Sequence, residues 1–157
     1  MIAPLLKTKF YVPPPRPNLV SRPRLIQRLD RGLRLGHRIT LVSAPAGFGK
    51  TTLLSEWIAS SERPVAWVSL DEGDNDAVRF LTYLVGALQG VDEAIGQSVE
   101  GILQSPQLPS AETAPTDRAV WVEAPTAALI GDVTAASTAL VLVLDDYHLI
   151  SAAPVHH

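Results

Sequence analysis

The chain has 157 residues, of which 46% are hydrophobic and 18% charged, with a mean hydropathy of +0.17, a formal charge of −3 and a pI near 5.7. That is a one-domain length with enough apolar residue to bury a core, which excludes a wholly disordered chain, and the acidic balance argues against a free-standing nucleic-acid binder. The chain holds no cysteine, so disulfides and thiolate metal sites are excluded and the redox compartment is unconstrained.

Residues 1–18 are rich in proline, with Pro13, Pro14 and Pro15 in a row and Pro17 close behind. They predict an extended, polyproline-like arm ahead of one domain over residues 19–157. The first residues lack the apolar core and small-residue cleavage site of a signal peptide. No apolar run approaches the ~20 residues needed to span a bilayer. No membrane contact and a cytoplasmic location are therefore expected. Nine of the 13 basic residues fall before residue 39, opposed there only by Asp30. This basic segment suits nucleic-acid or nucleotide phosphates, or else a solvated helix face.

Within residues 19–35, Ser21 is a candidate N-cap and Pro23 suits a first helical turn. Leu25, Ile26, Leu29 and Leu33 form an apolar stripe, and Gly36 can end the helix. Ile39 to Ser43 is a short apolar, β-rich run that predicts a buried strand. Pro45, Gly47 and Gly49 interrupt it, Lys50, Thr51 and Thr52 follow, and Leu53, Leu54, Trp57 and Ile58 recur at helical spacing.

Strand, glycine-bearing loop and helix in that order suit a phosphate chain. Glycines let backbone N–H groups close around anionic oxygens, and a helix N-terminus adds unpaired N–H groups and a positive dipole end. Ala46, Gly47, Phe48 and Gly49 would form the cradle. Lys50 would reach the outer phosphates, Thr51 would offer its hydroxyl to Mg²⁺, and Thr52 would touch an inner phosphate. Ala44 stands where the strict P-loop pattern has its first glycine. The alternative is a plain strand–turn–helix with an incidental lysine.

Pro64 to Leu70 predicts a second strand, which makes a βαβ arrangement. Asp71, Glu72, Asp74 and Asp76 follow at its carboxyl end. They suit either Mg²⁺ or water, or a solvated loop with a helix cap at Asp74 or Asn75. Ala77 to Leu88 is an amphipathic helix stopped by Gly90, and Val91 to Gln104 a weaker one. Ser105 to Asp117 reads as a loop. Ala119 to Ala136 is mixed, and Pro125 favours a helix starting near Thr126. Leu140 to Leu144 is a strong buried strand, ended by Asp145 and Asp146. Downstream of a P-loop, Asp145 is the expected Mg²⁺ acid and Asp146 the acid that orients or deprotonates an attacking water. His148 suits phosphate sensing or an ordinary loop position. His156 and His157 have no paired ligand spacing.

Four stretches together, TKFYVPPPRPNLVSRPRL, SAPAGFGKTTLLSEW, WVSLDEGDNDAVRFLTYLVGAL and LVLVLDDYHLI, carry a family likeness. The chain resembles the N-terminal nucleotide-binding module of large ATP-dependent LuxR-type transcriptional regulators, the maltose-regulator-like signal-transducing ATPases. The resemblance covers most of the chain outside roughly 105–139. It implies an α/β, P-loop NTPase-like parallel sheet flanked by helices, incomplete at its C-terminal end. It also implies ATP or ADP and Mg²⁺ as cofactors, held through Gly47, Gly49, Lys50, Thr51, Thr52 and Asp145, with Asp146 as the neighbouring acid. Ala44 is a common variant in that family, and Arg22 falls in its base-proximal segment.

Such proteins use bound ATP, ADP and an inducer to switch between a closed monomer and an assembling form, with slow hydrolysis. Their further strands, sensor arginine, winged-helix region, inducer-sensing repeats and C-terminal DNA reader are not in this sequence. The chain is thus expected to be a truncated part of such a regulator, with inducer and DNA met only through the missing domains. A non-catalytic interaction fragment that self-associates, or a small P-loop phosphotransferase, are the other readings.

Overall fold

The computed structural model describes residues 5–15, 17–105 and 115–151, the side chains of 115–120 excepted. His156 and His157, and the centre of the expected 105–117 loop, lie outside the described residues. The chain forms two compact units, Val12–Glu62, and Met1–Tyr11 together with Arg63–His157.

The larger unit is built on two parallel strands, β1 (Val65–Ser69) and β2 (Val141–Asp145), paired in register from Val65 opposite Val141 to Ser69 opposite Asp145. Both were legible as apolar runs rich in β-formers. Parallel neighbours need a long crossover, and here it is helical: α3 (Ala77–Gln89), α4 (Gln97–Leu103) and α5 (Pro115–Ala135). Ala66 and Val68 of β1 pack with Leu81, Val85 and Leu88 of α3 and with Val99 of α4 in one apolar cluster. Val99 is 0% exposed, and burying a side chain of its size fully contributes roughly 1.5–3 kcal/mol.

Three boundaries differ from expectation for local reasons. The α3 cap is Asp76, whose carboxylate accepts from the Arg79 N–H at 2.9 Å, rather than Asp74 or Asn75. The expected 91–104 helix begins only at Gln97, because Gly96 adopts φ 87° and a Cβ there would lie 2.5 Å from Val85 Cγ1. Only a glycine fits that left-handed, crowded position. Thirdly, α5 starts at Pro115 and runs through Pro125 instead of starting near Thr126. Pro125 is fully buried and Leu129 is 6% exposed, so packing outweighs the lost helical hydrogen bond. From the same helix, Asp132 accepts from the Gly96 and Ser98 N–H groups (2.9 and 3.2 Å) and from Ser98 Oγ (2.7 Å), which caps α4 from outside.

The N-terminal segment is not extended throughout. Lys7–Phe10 forms one 3-10 turn in the larger unit, with Lys9 only 7% exposed.

The smaller unit holds α1 (Pro23–Arg34) and α2 (Lys50–Ala59). Pro23 opens α1 as expected, but Arg22 is its N-cap, and the Ser21 hydroxyl donates instead to Glu56. Gly36 ends it at φ 75°: the Gly36 N–H donates to the Leu33 carbonyl (3.1 Å) and the His37 N–H to that of Gly32 (2.9 Å). These two bonds make a Schellman motif.

The expected strand at Ile39 to Ser43 does not form. Ile39 is 88% and Leu41 83% exposed, and β1 and β2 alone make up the sheet among the described residues. An apolar run becomes a strand only when a neighbour completes its ladder, and this run has none among the described residues.

Candidate nucleotide site

The smaller unit places Arg22 and Ala46 to Thr52 around the start of α2. Gly47 and Gly49 have φ of 82° and 75°, the left-handed region that favours glycine. Gly49 is the N-cap of α2 and offers no side chain, so the helix's first N–H groups keep their dipole end open. The turn closes by the Phe48 N–H donating to the Pro45 carbonyl at 3.3 Å, and Leu53 N–H bonds the Gly49 carbonyl at 2.9 Å.

Lys50 folds back over this loop. Its ammonium donates to the carbonyls of Ala44 (2.7 Å) and Pro45 (3.3 Å). Arg22 braces the other side, with Nη1 on the Phe48 carbonyl at 2.8 Å. A Cβ built on Gly49 would come 3.6 Å from the Arg22 guanidinium. Ala46 and Phe48 are exposed on the loop, while Thr51 and Thr52 in the first turn of α2 are half-buried. The arrangement presents two cations and a helix N-terminus to any anion that enters.

A cleft of about 630 Å³ opens beside the loop, lined among others by Arg22, Arg28, Arg31, Phe48, Lys50 and Leu53. That volume lies in the range of small-molecule sites. A smaller recess of about 110 Å³ is lined by Val20, Arg22, Thr52 and Glu56. Glu56 Oε2 is buried with no hydrogen-bond partner among the described residues. Sequence reading places Arg28 and Arg31 only within the basic segment before residue 39 and passes over Glu56.

In the larger unit Asp145 ends β2 and is 7% exposed, while Asp146 follows in an exposed turn. Asp145 Oδ1 accepts the Asp146 N–H at 3.1 Å. Asp146 has φ 57° and is the one non-glycine residue with positive φ among the described residues. Aspartate tolerates that region better than most residues, but it still carries strain, a feature that clusters at functional turns. His148 is exposed, with Nδ1 3.9 Å from Asp146 Oδ1.

The register of the sheet brings this turn to the same edge as the Asp71–Asp76 loop, since Ser69 lies opposite Asp145 and the Leu70 N–H donates to the Asp145 carbonyl at 3.0 Å. Asp71 and Asp74 of that loop are engaged in structure. Asp74, 0% exposed, accepts from Lys9 Nζ, from Arg79 Nε at 3.1 Å and from the Asp71 N–H at 2.8 Å. Asp71 pairs with Lys9 at 2.8 Å and with Arg79 at 3.2 Å. The hydrogen bond from Lys9 is the main reason the Asp71 carboxyl lies below its usual range.

No group of three His, Cys, Asp or Glu side chains able to hold a metal occurs among the described residues. No helix among the described residues is long and apolar enough to cross a membrane.

Comparison with known proteins agrees with this geometry. The model of the AAA ATPase domain matches residues 18–157. The chain is similar to proteins named HTH-type transcriptional regulator MalT: 37% identical to that of Yersinia enterocolitica, 35% to that of Cronobacter sakazakii and 34% to that of Yersinia pestis. Each match runs over 152 residues and covers 97% of this chain but only 15% of the relative. The two-stranded parallel sheet flanked by helices is consistent with an incomplete α/β P-loop fold. The chain belongs to the AAA ATPase domain family.

Proposed function

We propose that the chain is the nucleotide-responsive module of a transcriptional regulator, binding ATP or ADP with Mg²⁺ as a switch and hydrolysing slowly or not at all. The observation that carries this reading is the loop at residues 44–52. Two left-handed glycines precede Lys50 at the first turn of α2, and the Lys50 ammonium rests on backbone carbonyls that a phosphate would replace. Similarity to regulators that carry the name MalT supports the regulatory context.

In this reading the N–H groups of Ala46 to Lys50 hold the phosphates, Lys50 neutralises the outer ones, and Thr52 meets an inner one. Arg22 steadies the loop through the Phe48 carbonyl and lies near the nucleotide. Thr51 and Asp145 would supply ligands to Mg²⁺, which when bound neutralises charge on the phosphate oxygens. Asp146, exposed beside Asp145, would orient water. Inducer and DNA recognition would belong to other parts of a longer regulator, and self-association would follow nucleotide exchange.

The switch is tested by equilibrium titration of ATP and ADP with and without Mg²⁺, alongside steady-state phosphate release from the chain and from Asp146→Asn. A clear difference between the two nucleotides, with slow release lost in Asp146→Asn, is expected. Equal affinities would remove the switch. Fast turnover onto a small-molecule acceptor would favour a phosphotransferase.

A further inference from the structure

Lys9 is an unusual investment for a residue so near a chain terminus. It is only 7% exposed, and a buried ammonium is costly unless it is paired. It is paired on all sides: to Asp74, to Asp71 at 2.8 Å, and against the Tyr83 ring, whose centroid lies 4.4 Å away. The flanking residues dock with it. The Leu6 N–H donates to Tyr83 Oη at 3.3 Å, and the Phe10 ring sits 5.8 Å from that of Tyr83.

What Lys9 holds is the turn after β1, and that turn holds the acidic turn after β2. Asp74 Oδ2, the atom Lys9 grips, also accepts the Asp71 N–H at 2.8 Å. The preceding residue, Leu70, bonds the Asp145 carbonyl at 3.0 Å. On the other side of the same turn, Asn75 Nδ2 donates to the Leu149 carbonyl (3.0 Å) and Asn75 Oδ1 accepts the Ser151 N–H (2.7 Å). Asp146, with its left-handed backbone, is therefore tethered before and after by residues of one small loop. That loop is pinned by an ammonium from the N-terminal segment.

We propose that Lys9 is a positioning residue for the Asp145–Asp146 turn, acting through Asp74 and Asn75, so that displacing residues 7–10 loosens the acidic pair. The inference rests on the proposed role of Asp145 and Asp146 only for its consequence at Mg²⁺; the positional claim stands on contacts within one unit.

Amide hydrogen exchange, read residue by residue on the full chain without nucleotide or Mg²⁺, tests the positional claim. In Lys9→Met the Leu149 and Ser151 amides are expected to exchange about tenfold faster, with the β2 amides unchanged and Lys9→Arg restoring protection. The Mg²⁺-dependent gain in ATP affinity is expected to fall about tenfold, the scale for losing a support behind a metal ligand, with Mg²⁺-free ATP affinity unaltered. Unchanged exchange, or faster exchange with an intact Mg²⁺ gain, overturns the proposal. Should the parent chain show no Mg²⁺ gain at all, the metal reading of Asp145 fails and the exchange result alone decides the position. If Lys9→Met does not fold, Asn75→Ala keeps the ammonium and removes the link to residues 149–151 together with the Asn75 bond to the Glu72 carbonyl. It must give the same local loss of protection, and an unchanged pattern there refutes the coupling.

Discussion

Asp74→Ala is the substitution whose cost the structure fixes best. Asp74 is 0% exposed and its partner Lys9 7%, whereas the side chains of Arg79 and Asp71 are 41% and 49% exposed. Removing the carboxylate leaves a buried ammonium short of its nearest anion and leaves the Asp71 N–H without its acceptor. Breaking a buried pair by deleting one partner costs about 3–5 kcal/mol. Lys9 keeps Asp71 at 2.8 Å, so the lower end, about 3 kcal/mol, is expected. Against a usual stability of about 5–15 kcal/mol this is a large fraction. Arg79→Ala removes a guanidinium that is itself 41% exposed from the buried Asp74, which keeps Lys9, and from the half-exposed Asp71, and should cost less, about 1 kcal/mol. Urea unfolding followed by tryptophan fluorescence reads both, since Trp67 of β1 is 2% exposed. If the two substitutions cost the same, or Asp74→Ala costs under about 1 kcal/mol, the ranking by burial is wrong.

Three further outcomes follow from single contacts. The Asp71 carboxyl lies below its usual range, mainly through the Lys9 hydrogen bond and against its own desolvation; it therefore adds stability that is full above an unfolded pKa of about 3.9 and is lost as pH falls through the lower folded value. Asp71→Asn should flatten that acid limb in pH-dependent melts. Gly47→Ala meets nothing within 4 Å but must hold φ 82°; the expected cost is conformational, about 1–2 kcal/mol, read as weaker ATP binding with an otherwise normal circular dichroism spectrum. The Trp57 indole N–H donates to Asp30 Oδ1 at 2.7 Å, so Trp57→Phe should lose about 1.5–3 kcal/mol, typical of a hydrogen bond to a charged group, and Asp30→Asn part of that.

Much of the site was legible because its chemistry is local. Gly47, Gly49 and Lys50 announce a loop and a helix start through the backbone freedom of glycine, and an apolar run ending in Asp145 announces a strand and its edge. The framework followed from two apolar, β-rich runs for β1 and β2 and from amphipathic spacing for α3. What sequence could not supply was pairing. Ile39 to Ser43 has the composition of a strand, yet a strand needs a neighbour, and composition does not say whether one is present. The same holds for the acids after β1: the cluster suits Mg²⁺ or water, or a solvated loop with a helix cap at Asp74 or Asn75, until Lys9, more than sixty residues away in the chain, is found between Asp71 and Asp74. Pro125 misled because the rule against interior proline is energetic, and buried packing of α5 exceeds it. Gly96 misled in the opposite sense, since its need for a left-handed backbone comes from the approach of Val85.

The central claim is that residues 44–52 form a working phosphate site, and it is met most directly by equilibrium binding of ATP and ADP to this chain and to Lys50→Ala, each with and without Mg²⁺. The account predicts micromolar binding, worth about 8 kcal/mol, that weakens at least about tenfold in Lys50→Ala as the phosphates lose their cation. Binding that is equally tight in Lys50→Ala, or absent from a chain that melts cooperatively, would contradict it.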